Sequence, residues 1–257
     1  MIGCVAMLAA CEDVIDIDLN EADPRVVIEA EINNLTNQQE IRVSRTVSFM
    51  DEMRYAPVSG AEVVVGDERG REVAFVETTP GVYVTDRLRG TPGMTYHLDV
   101  TVDEITYAAT STMPNAVPID SVSSSSGEFF GVSRRALHVH FQDPPESPNF
   151  FRYRMSVNDA PFFNIGVFND KFNNGRYVTH DLIRLDVELQ TGDEVVVVRN
   201  QIDERVYRYW FGIAMLNPGA AAPSNPPSNI NGGALGYFSA QTVATLRMTI
   251  ADEPGEE

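Results

Sequence analysis

The sequence predicts an all-β protein built from two β-sandwich domains, Ig-like or transthyretin-like, of which the second carries one short helix. Apolar and polar residues alternate in short runs, and turn signals recur about every 8 to 12 residues, as in a β-sandwich. One segment has a convincing helical period. At 257 residues with 43% hydrophobic content, the chain is long enough to form packed cores.

The first predicted domain comprises residues 24–114. A β-branched run that passes into alternation predicts its opening strand, and a turn at residues 67–70 ends in a glycine that can adopt a positive φ. Residues 57–61 and 81–83 resemble the small sandwich domains related to carboxypeptidase regulatory and transthyretin-like modules. The strands predicted in this domain are residues 24–33, 39–47, 61–66, 72–77, 81–85, 95–102 and 106–112.

The second predicted domain comprises residues 115–257. Its boundary lies within residues 113–118, where two prolines among six residues disfavour a continuous element. We expect two long irregular segments, residues 158–181 and 218–233, because turn-forming and small polar residues are frequent there. The strands predicted in this domain are residues 119–125, 136–142, 149–157, 182–189, 194–199, 235–240 and 243–250.

One helix is predicted after Asp203, which can cap it, with Glu204 favourable in the first turn. Val206 and Trp210 lie on one apolar stripe, and residues 217–219 (Asn-Pro-Gly) end the periodic segment. Trp210 is the single tryptophan of the chain. Its place on the stripe predicts that it packs between the helix and a sheet.

The N-terminal segment predicts an exported lipoprotein. Residues 1–10 are uncharged and mostly apolar, as in a secretory signal peptide, and are too short to span a bilayer. Leu8-Ala9-Ala10 before Cys11 resembles the bacterial lipobox, so we expect Cys11 to carry a lipid and residues 11–23 to form an acidic tether. The missing Lys or Arg at the start indicates a truncated signal peptide. The alternative is a free, buried cysteine in an N-terminal strand.

Composition restricts the partners of the chain. The net charge of −18 would be repelled by nucleic acid phosphates and by anionic headgroups, so we expect no nucleic acid partner. Removal of residues 1–10 would leave Cys11 as the single cysteine, which rules out an internal disulfide framework in the mature chain.

The sequence predicts neither a catalytic site nor a metal site. His138 and His140 share one face of a predicted strand, but no third ligand follows at suitable spacing, so a solvated strand face is favoured. The segment from Asp170 to Asp181 partly matches a calcium loop, yet Phe172 occupies a ligand position and a polar hairpin loop is favoured. No Ser–His–Asp constellation lies in a nucleophile-elbow context. We therefore expect a protein that is not an enzyme and has no cofactor.

The two irregular segments are the predicted contact surfaces, since long loops in compact domains are often functional. Phe162 and Phe172 lie in polar settings where rigid rings can act as interface anchors, whereas Phe163 and Phe168 are expected to pack inward. The candidate partner contacts are Phe162, Phe172, Asn229 and Tyr237.

Five short motifs, spread along the chain, carry a resemblance to a known family. They are residues 11–26; Asp143-Pro144-Pro145 with residues 149–153 (Asn-Phe-Phe-Arg-Tyr); residues 169–175; residues 192–194 (Gly-Asp-Glu) with residues 207–211; and residues 228–230 (Ser-Asn-Ile) with residues 236–238 (Gly-Tyr-Phe). In this order they resemble the Bacteroidota outer-membrane lipoproteins catalogued as a domain of unknown function, number 4249. The resemblance covers nearly the whole chain after Cys11. It supplies no catalytic residues.

The resemblance implies a role in uptake, because such lipoproteins are commonly encoded beside TonB-dependent outer-membrane receptors. We therefore expect a lipid-anchored, surface-exposed outer-membrane accessory or binding protein that works with such a receptor in nutrient uptake, with an unidentified ligand. The acidic residues that follow Cys11 resemble the signal for export to the cell surface. The alternative is a structural or adhesive surface lipoprotein without a transport role.

Overall fold

The computed structural model describes residues 23–47, 55–129, 131–216 and 225–252. The predicted signal peptide, Cys11 and almost all of the predicted tether lie outside these residues. The all-β prediction is confirmed, because one helix accompanies fifteen strands in the described chain. No helix there is long and apolar enough to cross a membrane. The elements are β1 (Val26–Asn33), β2 (Gln39–Arg45), β3 (Ala56–Pro57), β4 (Glu62–Asp67), β5 (Glu72–Thr79), β6 (Val82–Thr85), β7 (Thr95–Val102), β8 (Ile105–Thr112), β9 (Ser121–Phe129), β10 (Val132–Gln142), β11 (Phe150–Val157), β12 (Phe163–Asn169), β13 (Tyr177–Leu182), β14 (Glu194–Ile202), α1 (Glu204–Ala214) and β15 (Leu235–Thr249).

The strands form a twelve-stranded sheet and a three-stranded sheet. In the large sheet the order is β12-β11-β14-β15-β1-β2-β6-β5-β4-β7-β8, with β3 paired to β2. The small sheet has the order β13-β10-β9. Alternating side chains of these strands point into two large cores, so the sheets pack in a sandwich-like arrangement, and a smaller apolar cluster lies against α1.

The last strand, β15, joins the two ends of the chain. Residues 235–241 of β15 pair in parallel with β1, and residues 242–249 pair antiparallel with β14. The two strands predicted at its position are therefore one continuous strand. Gly236 lies at φ +92°, and a Cβ there would lie 2.0 Å from the carbonyl oxygen of Ile28. Only glycine permits this close approach.

The first core draws on both predicted domains. Its buried apolar side chains come mainly from β1, β2 and β4 to β8. Phe238 and Ala240 of β15 are fully buried in it, together with Ile230 and Ala234. Residues 230–240 thus complete the first core, although they belong to the segment predicted as a second domain. The predicted boundary between residues 114 and 115 stays a prediction.

The second core surrounds a buried histidine. The ring of His180 stacks on Phe168 at 4.3 Å between centroids, and its Nδ1 lies 3.0 Å from the hydroxyl oxygen of Tyr153. Burial lowers the pKa of His180 to about 4, so this imidazole is neutral at pH 7. The buried guanidinium of Arg199 lies over Phe141 and donates to the carbonyl oxygen of Val117. The second core therefore combines aromatic packing with buried polar side chains, although Nη1 of Arg199 has no hydrogen-bond partner among the described residues.

The prediction of an irregular segment at residues 158–181 is wrong, because β12 and all but the last residue of β13 lie within it. A β-bulge in β12 leaves Ile165 unpaired between the partners of Arg154 and Tyr153. The extra residue lets Phe163 and Phe168 both pack on the second core, as expected, at a spacing that breaks strict alternation. Because of the bulge, the apolar residues of β12 do not alternate regularly, so the sequence pattern does not predict this strand.

The prediction of a strand at residues 182–189 is also wrong. β13 ends at Leu182, and the chain then turns, with the amide of Val187 donating to the carbonyl oxygen of Arg184. Arg184 pairs with Asp186 two residues later. Local polar contacts therefore replace the sheet pairing that the apolar positions suggested.

Candidate functional site

Helix α1 lies across one face of the large sheet, over β11, β12 and β15. The predicted cap is confirmed, since Asp203 accepts a hydrogen bond from the amide of Val206. Trp210 packs edge-on against Tyr237, at 5.2 Å between ring centroids. The guanidinium carbon of Arg152 lies 3.4 Å from the centre of the Trp210 ring, in cation–π geometry. The prediction that Trp210 packs between helix and sheet is confirmed.

Below the helix, a part-buried ion pair joins distant strands. Arg152 of β11 donates from Nη1 to Glu31 Oε1 of β1 at 3.0 Å. Nη2 and Nε of the same guanidinium donate to Asn164 Oδ1 of β12, at 2.7 and 2.9 Å. Tyr237 and Gln241 of β15 donate to the two oxygens of Glu31, at 2.7 and 3.0 Å. These five side chains form one hydrogen-bonded group, called here the Glu31–Arg152 network.

The network keeps Glu31 ionised. Burial by itself raises the pKa of Glu31, but the charges of Arg152 and Arg154 and the hydrogen bonds from Tyr237 and Gln241 lower it below its ordinary value. Burial, followed by the Glu31 charge, raises the pKa of Tyr237 well above its ordinary value. Tyr237 therefore stays protonated and can donate to Glu31 across the physiological range.

A polar cleft of about 420 Å³ opens beside the network. In this cleft Arg42 pairs with Glu40 at 2.7 Å, whereas Arg154 makes no ion pair within 4.0 Å in the described chain. The Nε of Arg154 is buried and has no hydrogen-bond partner there. The lining residues are Glu29, Glu31, Asn33, Gln38, Gln39, Glu40, Arg42, Arg154 and Tyr237.

Further unpaired polar atoms lie on the helix-covered side of the sheet. Asn200 is fully buried, and neither atom of its amide has a partner among the described residues. It pairs in register with Arg152, so the two side chains share one face. The indole nitrogen of Trp210 is likewise buried and unpaired. Unpaired donors at this depth can bind ordered water or a small polar ligand.

The two predicted aromatic contacts, Phe162 and Phe172, are on the surface. Phe162 is 51% exposed and Phe172 is 80% exposed. They flank β12 at its two ends, and β12 is an edge strand of the large sheet, paired to β11 alone among the described strands. This strand and its two ends therefore present apolar rings beside an open sheet edge.

The structure corrects the placement of the other two predicted contacts, Asn229 and Tyr237, because both side chains are buried rather than exposed. Asn229 is 9% exposed, and its amide bonds both the N–H and the carbonyl oxygen of Phe238, at 2.9 and 2.8 Å. Tyr237 is 5% exposed and binds Glu31. Such side chains offer little area to a protein partner. They position β15 instead, and Tyr237 also lines the polar cleft.

The predicted loop at residues 218–233 is described only in part, since residues 218–224 lie outside the described chain. Its end is anchored to the first half of the protein. Ile230 forms a bridge with Ala109, and the amide of Asn231 donates to the carbonyl oxygen of Ala108 at 2.7 Å. This anchoring explains why Ile230 belongs to the first core.

Both ring nitrogens of His138 and of His140 have hydrogen-bonding neighbours. His138 lies between Asp181 and Ser125, with both contacts at 2.7 Å. His140 lies in the same way between side chains of β13 and β9, at 2.9 Å on each side. Within the described ranges, no group of three or more His, Cys, Asp or Glu side chains could hold a metal ion. The two histidines therefore form a hydrogen-bonded row across the small sheet.

A family model described as "Domain of unknown function (DUF4249)" matches residues 12–247. The chain belongs to the DUF4249 family. The match includes β1 to β14 and α1 and nearly all of β15, so it spans both cores and the Glu31–Arg152 network of this DUF4249 protein. Among curated proteins the comparison finds no match.

The Glu31–Arg152 pair predicts strong energetic coupling between β1 and β11. Arg152→Met and Glu31→Gln should each lower the free energy of unfolding by about 2 kcal/mol, because each leaves the other charge of a part-buried pair without its partner. The double variant should lose clearly less than the sum of the two. The free energy of unfolding is measured for the wild type, the two single variants and the double variant by urea unfolding, with Trp210 fluorescence as the probe.

The exposed pair Arg42–Glu40 is the matched control, and Arg42→Met should change the free energy of unfolding by less than about 1 kcal/mol. Additive effects of the Glu31 and Arg152 substitutions would contradict the assigned coupling.

Proposed function

We propose that this DUF4249 protein is a lipid-anchored, surface-exposed accessory of a TonB-dependent outer-membrane receptor and acts in nutrient uptake by binding. The lipobox-like sequence before Cys11 and the acidic residues behind it support the anchoring and the location. The resemblance of the chain to receptor-associated lipoproteins supports the partner. The surface at β12 supports binding.

The observation that carries the proposal is the exposure of Phe162 and Phe172 at the two ends of β12. An exposed ring loses no native packing when it enters an interface, and it brings large contact area at low entropic cost. β12 also offers the unpaired side of its backbone to an extended segment of a partner. Exposed rings beside an open strand edge favour contact with a protein over contact with a small solute alone.

The polar cleft supports a second binding role within the same proposal. Its carboxylates, guanidinium groups and amides are arranged on a rigid sheet, and Arg154 has an unpaired buried donor. Such a cleft suits a small polar ligand handed to or received from a receptor. The proposed cargo is accordingly polar.

A structural or adhesive surface lipoprotein is the second candidate. It would use the same anchor and the same exposed rings, but it would need no receptor. Recovery of a receptor from membranes separates the two candidates, because an adhesive protein has no reason to copurify with a transport barrel.

The receptor proposal predicts specific copurification. Affinity-tagged protein, extracted from outer membranes in mild detergent, should recover a large β-barrel receptor. A Phe162→Ser, Phe172→Ser double variant should recover at least tenfold less, since truncation of an interface hot spot costs about 2 kcal/mol or more. Leu35→Ser, which changes an exposed apolar residue in the turn between β1 and β2, is the matched control and should recover the barrel normally. A wild-type protein that brings down no barrel would overturn the proposal.

The anchoring proposal predicts lipid attachment at one cysteine. Cys11→Ser should abolish incorporation of a labelled fatty acid and move the protein from the membrane fraction to the soluble fraction, because the thiol is the site of attachment. Cys4→Ser is the control and should leave labelling intact. Labelling that persists in Cys11→Ser would show that the anchor is elsewhere.

A further inference from the structure

Two buried carboxylates lie where two loops of the second half pack together. Residues 143–149 connect β10 to β11, and residues 170–176 connect β12 to β13. Asp143 of the first loop is 0% exposed and accepts a hydrogen bond on Oδ2 from the amide of Gly175, at 3.1 Å. Asp170 of the second loop is 6% exposed and accepts one on Oδ2 from the amide of Asn149, at 2.8 Å. Each carboxylate is thus held by the backbone of the opposite loop.

The charges of these two side chains are not compensated by the protein. Asp143 Oδ1 is fully buried and has no hydrogen-bond donor within the described chain. Neither carboxylate has a Lys, Arg or His nitrogen within 4.0 Å in that part of the protein. Asp143 and Asp170 are also close enough for their charges to repel each other. Burying an unpaired carboxylate is energetically unfavourable, and a second like charge nearby adds to that cost.

The loop at residues 143–149 is rich in oxygen acceptors. Pro144 and Pro145 follow Asp143, and Pro148 precedes Asn149, so three residues of this loop have a carbonyl oxygen but no N–H. The loops also approach closely, since a Cβ added to Gly175 would lie 3.1 Å from the Cβ of Pro145. Two buried carboxylates beside a loop rich in carbonyl oxygens suit a hard cation bound through oxygen.

We propose that Asp143 and Asp170 bind one Ca²⁺ ion, which joins the loop at residues 143–149 to the loop at residues 170–176. The unpaired Oδ1 of Asp143 is its first ligand. Asp170 supplies a second carboxylate, and carbonyl oxygens of the two loops and water complete the six to eight oxygen ligands that Ca²⁺ requires.

This site differs from the twelve-residue pattern considered in the sequence. That pattern uses Asp181 as its last ligand, but Asp181 belongs to β13 and binds His138. The structure instead brings in Asp143, which precedes Asp170 by 27 positions. Phe172 lies on the joined loop, so the ion would also fix the position of that exposed ring. Binding of the ion itself does not depend on the proposed receptor.

The test is Ca²⁺ binding to the purified full-length protein, because this acidic chain also attracts cations nonspecifically. Equilibrium dialysis in metal-free buffer, with Ca²⁺ up to about 10⁻³ M, measures stoichiometry and affinity at a range that weak structural sites occupy. The unfolding temperature is measured in parallel with Ca²⁺ and with a chelator. Asp143→Asn and Asp170→Asn keep the shape of each side chain, and Asp181→Asn is the matched control for a lost carboxylate.

The wild type and Asp181→Asn should bind one Ca²⁺ ion per chain above the nonspecific background and should unfold at a higher temperature with Ca²⁺. Asp143→Asn and Asp170→Asn should weaken that binding at least about tenfold and lose the thermal response, while their circular dichroism spectra in chelator match the wild type. Equal binding by all four proteins would overturn the site. So would the absence of a saturable ion in the wild type, in which case a proton on Asp143 relieves the repulsion.

Discussion

The arrangement of this protein depends on the shared strand β15. Its first half pairs in parallel with β1 and its second half pairs antiparallel with β14, so a single strand belongs to the sheets over both cores. The parallel pairing requires Gly236, because any larger residue would collide with the carbonyl oxygen of Ile28. The same strand supplies Tyr237 and Gln241 to the Glu31–Arg152 network. The polar cleft opens over this junction, so it forms only when β15 joins the strands of the first core to those of the second core.

Local patterns in the sequence were sufficient to predict most of the strands and the helix. β7 is a clear case, since its apolar side chains alternate without interruption and its predicted bounds are those observed. The helix was predictable because Asp203, a cap residue, stands directly before an apolar stripe. The strands that were missed have an irregular period, as in β12, where a bulge separates Phe163 from Phe168 by five positions.

The candidate site could not be predicted in the same way, because it depends on contacts between residues far apart in the chain. Glu31 and Arg152 are 121 positions apart, and nothing near either residue marks it as a partner of the other. Asp143 and Asp170 are likewise brought together only when their loops pack. Tyr237 and Asn229 were also predicted as partner contacts, yet both are buried, because hydrogen bonds to Glu31 and Phe238 hold them inside the protein. Of the predicted contacts, Phe162 and Phe172 remain on the surface.

Different parts of the large sheet serve stability and the proposed binding. Its interior carries the charged network, and its outer strand β12 carries the exposed rings. The most direct test asks whether β15 makes the two halves one cooperative unit. Urea unfolding should be followed by Trp210 fluorescence and by pulsed hydrogen exchange of peptides from β4 to β8. We predict one coincident transition, which Gly236→Ala shifts equally for both probes. The prediction is contradicted if peptides from β4 to β8 stay protected from hydrogen exchange after the Trp210 signal is lost.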